Sequence, residues 1–269
     1  MHDITKALLE RIKPYPVEYL YKYRSLNSIG LEDILIKNEI YLSEPTAFND
    51  PFDCKPLLVT YTSAFKRNQF YKSLVKHRFP NATKEQIKRE LKNNPRFRKI
   101  RTRKYLENEL FQIFIKDFGV YCLSEVPDDI LMWSHYSESH KGVCLQFKAT
   151  IERTLFWESY KVTYQENYPA VNIMNISNYD QFFNFFATKS EHWEYEKERR
   201  LIKTPQEGGA GIYTFQPELL TGVILGAKIL PEDEKMINDL VSKRKRPVNI
   251  FKAQMNSRAY KLDIKEINC

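Results

Sequence analysis

The sequence predicts an α+β fold: a mostly antiparallel or mixed sheet with helices and an inserted basic helical segment. Three observations predict it. Short β-type runs and helical stretches follow one another irregularly, without the β-α-β rhythm of a parallel sheet. The stretch 65–117 reads as helix throughout and lies between two β-rich parts, as an insertion or cap. The 269 residues hold only 8 Gly and no repeat, low-complexity tract or heptad run, so they read as a single domain, 1–269.

Taken in order, Asp3–Lys13 has the pattern of a short helix, stopped by Pro14 and Pro16. Glu18–Arg24 is a Tyr-rich strand. Ser28–Asn38 returns to helical spacing, with Ile29, Leu31, Ile34 and Leu35 on one face and Asn38 at the end. Glu39–Ser43 is a second strand, followed by a turn-rich loop through Pro45, Asn49, Asp50 and Pro51. Phe65–Phe79 and Lys84–Asn93 are helices separated by Pro80 and Asn81, with Thr83 as an N-cap. After Pro95, Arg98–Asp117 is a third helix of the insertion. Phe118–Ser124, Gly142–Lys148 and Ser159–Gln165 are strands, and Asp128–His140 is a short helix or helical loop. Tyr179–Ser190 is helical, and Phe182, Phe183, Phe185 and Phe186 mark it as buried. Tyr195–Lys203 is extended. A turn at Gly208, Gly209 and Gly211 leads to Ile212–Phe215. Leu220–Leu225 is a strand, Glu232–Arg244 a helix, and Val248–Ala253 and Tyr260–Glu266 the closing strands.

The net charge of +8 is uneven. Lys66–Lys104 holds fifteen Lys or Arg against two acidic residues, a local +13, so the remainder is net −5. Such a segment attracts polyanions by long-range electrostatics and counterion release. It also has the composition of a solvated Lys-rich helical face. Its densest part holds Arg96, Arg98, Lys99, Arg101, Arg103 and Lys104, with Phe97 and Tyr105 interleaved. Cys54, Cys122, Cys144 and Cys269 form no C-x-x-C pair and read as buried, reduced thiols. The first residues lack a signal-peptide pattern, and no apolar run reaches ~20 residues. The expectation is a cytoplasmic protein with no membrane contact and no metal.

Three distant clusters mix large aromatics with short polar groups, as a pocket for a flat ligand requires. The first runs from Tyr21–Ser25 to Ser43–Asp53 and includes Tyr23, Arg24, Ser25, Ser43, Asn49 and Asp50. The Asn-Asp-Pro sequence is turn chemistry, and Phe48 and Phe52 can plug the core. The same rigid loop can hold a ribose or phosphate. The second runs from Cys122–Glu125 through Leu131–Tyr136 to His140–Gly142 and includes Ser124, Trp133, His135, Tyr136 and His140. Helical spacing puts Trp133, Tyr136 and His140 on one face, either as a pocket wall or as a packing face, and His135 on another. The third is Trp193 to Arg200. As a strand it points Glu194, Glu196, Glu198 and Arg200 to one side, where close carboxylates repel unless a cation or sugar hydroxyl intervenes. As a helix it forms only an ordinary Glu196–Arg200 pair.

No phosphate-binding Gly-rich loop, dinucleotide fingerprint or nucleophile elbow occurs, which weighs against P-loop enzymes, dehydrogenases and α/β-hydrolases. The set S-x-P-x-x-F-N-D-P-F, L-M-W-x-H-Y and W-x-x-E-x-E-x-R resembles a bacterial family of uncharacterised proteins found near mobile elements and defence genes. Ser43 to Phe52, Leu131 to Tyr136 and Trp193 to Arg200 carry the likeness. The order of strand with polar tip, helix, strand and late Glu strand is also similar to the ADP-ribosyltransferase superfamily. That likeness implies NAD as cofactor, with Tyr23 or Arg24 in the first position, Ser124 and Tyr136 in the middle, and Glu196 or Glu198 last. It rests on order rather than matched motif letters, and Tyr-Lys-Tyr-Arg departs from the His or Arg before Thr or Ser of the usual first motif.

Two functions are therefore expected. The first is an intracellular effector of the ADP-ribosyltransferase type, in anti-phage defence or a toxin system. Glu198, Glu196, Tyr136 and His135 would be its catalytic residues. Its nucleotide-type ligand would meet Tyr23, Arg24, Ser25, Ser43, Asn49, Asp50, Ser124, Trp133 and His140. The second is a nucleic-acid-binding defence or regulatory module, or a nuclease, whose basic segment takes nucleic acid or an acidic protein.

Overall fold

The computed structural model of the chain describes residues 17–59, 63–95, 115–172 and 179–267. The expected helix Asp3–Lys13, most of Arg98–Asp117, the basic run from Arg96 to Lys104, and Cys269 lie outside them. The strands are β1 (Tyr19–Arg24), β2 (Glu39–Leu42), β3 (Leu57–Val59), β4 (Gly119–Ser124), β5 (Val143–Lys148), β6 (Tyr160–Lys161) and β7 (Thr163–Gln165). They continue with β8 (Ala170–Asn172), β9 (Thr188–Ser190), β10 (Glu198–Lys203), β11 (Gly211–Thr214), β12 (Leu220–Leu225), β13 (Asn249–Met255) and β14 (Leu262–Glu266). The α-helices are α1 (Ala64–Arg78), α2 (Lys84–Asn93), α3 (Ile130–Tyr136), α4 (Tyr179–Phe186) and α5 (Pro231–Ser242).

Eight strands form one mixed sheet in the order β14-β13-β12-β5-β1-β4-β10-β6. Within this sheet, among the described residues, β12 and β13 pair in parallel and the other neighbours are antiparallel. This is the α+β architecture that the sequence predicts. Local signals explain several boundaries. Thr83 and Gln86 close a capping box at the start of α2. Asn38 turns left-handed (φ 57°) and ends the helical turn before β2. Asp129 caps α3 by accepting from the backbone N–H of Leu131 and Met132.

The two faces of the sheet differ. One face carries Leu20, Tyr121, Leu123, Val143, Leu145 and Leu201 into a single large core. The opposite face divides into two apolar clusters. One gathers Tyr23, Met132, Trp133, Cys144 and Ile224. The other gathers Val120, Ile202, Phe183, Phe185 and Phe186. Strand alternation sends Val120, Cys122 and Ser124 of β4 to this divided face, and Glu198, Arg200 and Ile202 of β10 with them. Each strand therefore runs from an apolar end to a polar end between the two clusters.

Candidate functional site

The polar zone coincides with a weak seam in the sheet. Strand β1 pairs with β5 over six positions, and β4 pairs with β10 over six. Between β1 and β4 the register holds only Tyr21 opposite Ser124. A cavity of about 310 Å³ opens there, lined by Tyr21, Lys22 and Tyr23 of β1 and by Cys122, Leu123 and Ser124 of β4. Consecutive strand residues point to opposite faces, so lining by all three on each strand means a slot between the strands. Phe48, Asn49 and Asp53 border the slot from the β2–β3 loop, and Met132 and Tyr136 from α3. Lys189, Glu196 and Glu198 complete it.

Its floor is ionic and buried. Arg200, fully buried, donates from Nε and Nη2 to the two oxygens of Glu198 at 2.7 and 2.9 Å. Its Nη1 and Nη2 donate to the two oxygens of Asp53 at 2.9 and 2.8 Å, and Nη1 also to the Phe186 carbonyl at 2.9 Å. Two carboxylates thus share one guanidinium, a geometry that lysine could not supply. Lys189 Nζ lies 2.5 Å from Glu196, 3.1 Å from Glu198 and 3.8 Å from Asp53. Tyr136 donates its hydroxyl to Glu196 Oε1 at 2.6 Å. Ser124 donates to the Glu196 carbonyl at 2.7 Å, which ties β4 to the turn before β10.

The two glutamates are driven apart. Burial opposes ionisation of Glu198, but Arg200 and Lys189 outweigh it and hold its carboxyl well below the usual carboxylate range. Burial raises Glu196, and the Glu198 charge adds to it; Lys189 and the Tyr136 hydrogen bond offset only part. Burial also disfavours the Lys189 ammonium, yet the Glu198, Glu196 and Asp53 charges keep it protonated. Neighbouring carboxyls with opposed environments are the arrangement that divides acid–base labour in enzyme sites. Lys22 donates to the Cys122 carbonyl across the seam at 2.7 Å and lies 4.5 Å from the Tyr121 ring. Burial, and then Arg24, push its pKa down to about 8.

The slot brings together Tyr23, Asn49, Ser124, Tyr136, Glu196 and Glu198, one or more from each of the three sequence clusters. Tyr23 packs edge-on to Trp133 at 5.3 Å and donates to the Val126 carbonyl. Asp50 lines a neighbouring cavity and holds an Asx turn by accepting from the Phe52 N–H. Arg24, Ser25, Ser43, Trp133, His135 and His140 do not line the slot. Arg24 alternates to the other face of β1, and the Ser43 backbone pairs with that of Val120. Trp133 is wholly buried and donates from Nε1 to the Pro127 carbonyl, so it is a packing residue. His135 is exposed beside Tyr195, at 6.3 Å.

Four expectations are corrected. Helix α3 stops at Tyr136, so His140 does not share its face through helical spacing. Glu138, Ser139 and His140 are left-handed, and this turn folds the His140 ring parallel to Trp133. Tyr195–Lys203 is not extended throughout either. A 3-10 helix covers Glu191–Glu196, and Lys197 (φ 42°) makes the corner into β10. Glu194 is exposed, and Arg200 pairs with Glu198 and Asp53 rather than in a helical pair with Glu196. Helix α4 ends at Phe186 and gives way to β9, which carries Lys189. Phe52 is 63% exposed and plugs no core. Sequence reasoning places Asp53 and Arg200 in separate clusters without joining them, and it misses Lys189. The excess of carboxylates was a signal that a cation must intervene, but nothing in it pointed to Lys189.

A family described as "Protein of unknown function (DUF2971)" matches residues 132–201. That span contains Met132, Tyr136, Lys189, Glu196, Glu198 and Arg200, the later half of the site. Comparison with curated proteins and with solved structures gives no match. Among the described residues, no helix is long and apolar enough to cross a membrane.

Proposed function

We propose that the slot is the active site of an ADP-ribosyltransferase-like enzyme that uses NAD as its ADP-ribose donor, in a defence or toxin setting. The observation that carries this reading is the buried pair Glu196 and Glu198, oppositely tuned, at the floor of a slot walled by Tyr21, Tyr23 and Tyr136. Its size, at the low end of ligand cavities (~300–1,000 Å³), suits the nicotinamide–ribose half of NAD rather than the whole. NAD supplies a glycosidic bond whose cleavage releases nicotinamide and leaves positive charge on the ribose.

The chain's own groups fit that charge. Glu198, kept ionised by Arg200, is a fixed anion beside it. Glu196, with a raised pKa, accepts the acceptor's proton or holds a ribose hydroxyl, and Tyr136 and Lys189 orient its two oxygens. The aromatic walls stack the ring and exclude water.

The test is transfer of label from adenylate-labelled NAD into cell extract or nucleic acid. The wild type should label an acceptor; Glu196→Gln should lose ~10²–10⁴-fold in rate while keeping its far-ultraviolet circular dichroism. No transfer by the wild type, or equal transfer by the variant, would end this reading.

A second reading keeps the basic helices as a polyanion-binding face. Lys72, Lys76 and Arg78 of α1 and Lys84, Lys88, Arg89 and Lys92 of α2 are all exposed. Binding of single-stranded DNA or RNA that weakens steeply with salt would support it; salt-insensitive binding would not.

A further inference from the structure

A second cavity of about 540 Å³ adjoins the slot, and Lys189 lines both. Three large aromatics line it that the fold does not fully bury. Phe52 is 63% exposed, Tyr168 is 39% exposed, and Trp193 is half-buried. Large apolar rings left in contact with water and gathered on one concave surface mark a binding site more often than a packing defect. Cations are already set against two of the rings: Lys189 lies 5.0 Å from the Trp193 centroid and Lys55 lies 5.8 Å from that of Tyr168. The polar lining is made of hydrogen-bonding edges, including Gln165, Asn167 and the Ser190–His192 pair at 2.9 Å. Its acids, Asp50 and Glu166, match its lysines, Lys55 and Lys189, in number. A lining without excess positive charge does not select a free phosphate. It suits a flat, neutral ring with donors and acceptors on its edge.

We propose that this cavity is a nucleobase site, in which Trp193 is the principal stacking surface and Phe52 and Tyr168 complete the walls. The assignment goes beyond the NAD-cleaving slot and does not require it. The base comes from a mononucleotide or from an exposed base of a single strand; the stacking chemistry is the same.

Isothermal titration calorimetry with AMP, ribose 5-phosphate and a five-residue single-stranded oligonucleotide tests it. AMP or the oligonucleotide should bind and ribose 5-phosphate should not. The tighter of the two identifies the source of the base. Trp193→Ala should weaken that binding about 5- to 100-fold, the range for loss of one stacking partner. Trp193→Phe, which keeps a ring, should stay within a few fold of the wild type. Phe52→Ala alters a mostly exposed side chain, so its fold is retained, and it should weaken binding about 5-fold. Equal affinity for ribose 5-phosphate, no binding of any ligand, or binding untouched by both alanine variants would overturn the assignment. If NAD is not cleaved but AMP binding depends on Trp193, only the slot reading fails; if NAD is cleaved but neither alanine variant changes base binding, only the nucleobase site fails.

Discussion

The two adjoining cavities are built by different means. The slot is built largely on strands, and its ionic floor is fixed by register: Arg200 opposite Cys122, and Glu198 opposite Ser124. Its charges are buried and mutually satisfied. The larger cavity is built mostly on the loops around Asp50–Lys55 and Glu166–Pro169, with the short strand β9 and the turn that follows it, and its rings remain partly in water. Strand pairing fixes reactive groups within tenths of an ångström. Loops present surfaces that tolerate replacement. Two tryptophans show the contrast, since Trp133 is fully buried behind the slot and Trp193 is half-buried beside the larger cavity.

The largest effect should follow removal of Arg200. Arg200→Met leaves Asp53 and Glu198 buried without their shared guanidinium, and urea unfolding should register a loss of ~3–5 kcal/mol. A loss under ~1 kcal/mol would mean that the floor is not held by charge pairing. Trp133→Ala should cost ~3–5 kcal/mol as a core truncation, whereas Trp193→Ala should cost under ~1 kcal/mol and act on ligand binding instead. Similar thermal shifts for both would erase the distinction between a packed and a presented ring.

The glutamates should give opposite pH signatures. The folded pKa of Glu198 lies below the unfolded value of ~4.3, so its contribution is present above that value and lost as pH falls through the folded pKa. The folded pKa of Glu196 lies above it, so its contribution is present below ~4.3 and lost as pH rises through the folded pKa. In urea unfolding from pH 3 to 7, Glu198→Gln should fall further behind the wild type up to ~4.3 and then run parallel. Glu196→Gln should gain on the wild type above that point. Parallel curves for both variants would remove the opposed tuning. Far from either cavity, Thr83→Ala removes an N-cap and should cost ~1 kcal/mol without altering ligand binding.

What the sequence shows and what it hides divide along the same line. The Thr83–Gln86 box, the Asn38 stop and the β4 and β12 strands are short-range features, written in neighbouring residues. The three aromatic and polar clusters were also visible, because residues of that mix are rarely needed by a core. The left-handed turns at Lys197 and at Glu138–His140 were not, since neither uses the glycine that usually marks positive φ. The Lys197 turn decides that Glu196 ends a 3-10 helix while Glu198 begins a strand, and the Glu138–His140 turn sets His140 against Trp133. The Arg200–Asp53 pair spans 147 residues, and no local pattern encodes a contact of that range. Lys189 emerges only because a helix expected to reach Ser190 ends at Phe186 and a short strand follows.

Carbon-13 NMR of glutamate-labelled protein, titrated from acid to neutral pH with Glu196→Gln and Glu198→Gln for assignment, measures the two carboxyls directly. The Glu196 signal should titrate above the ordinary glutamate value of ~4.3 and the Glu198 signal should stay ionised well below it. Two signals titrating together near that ordinary value would contradict the opposed pair on which the slot's chemistry depends.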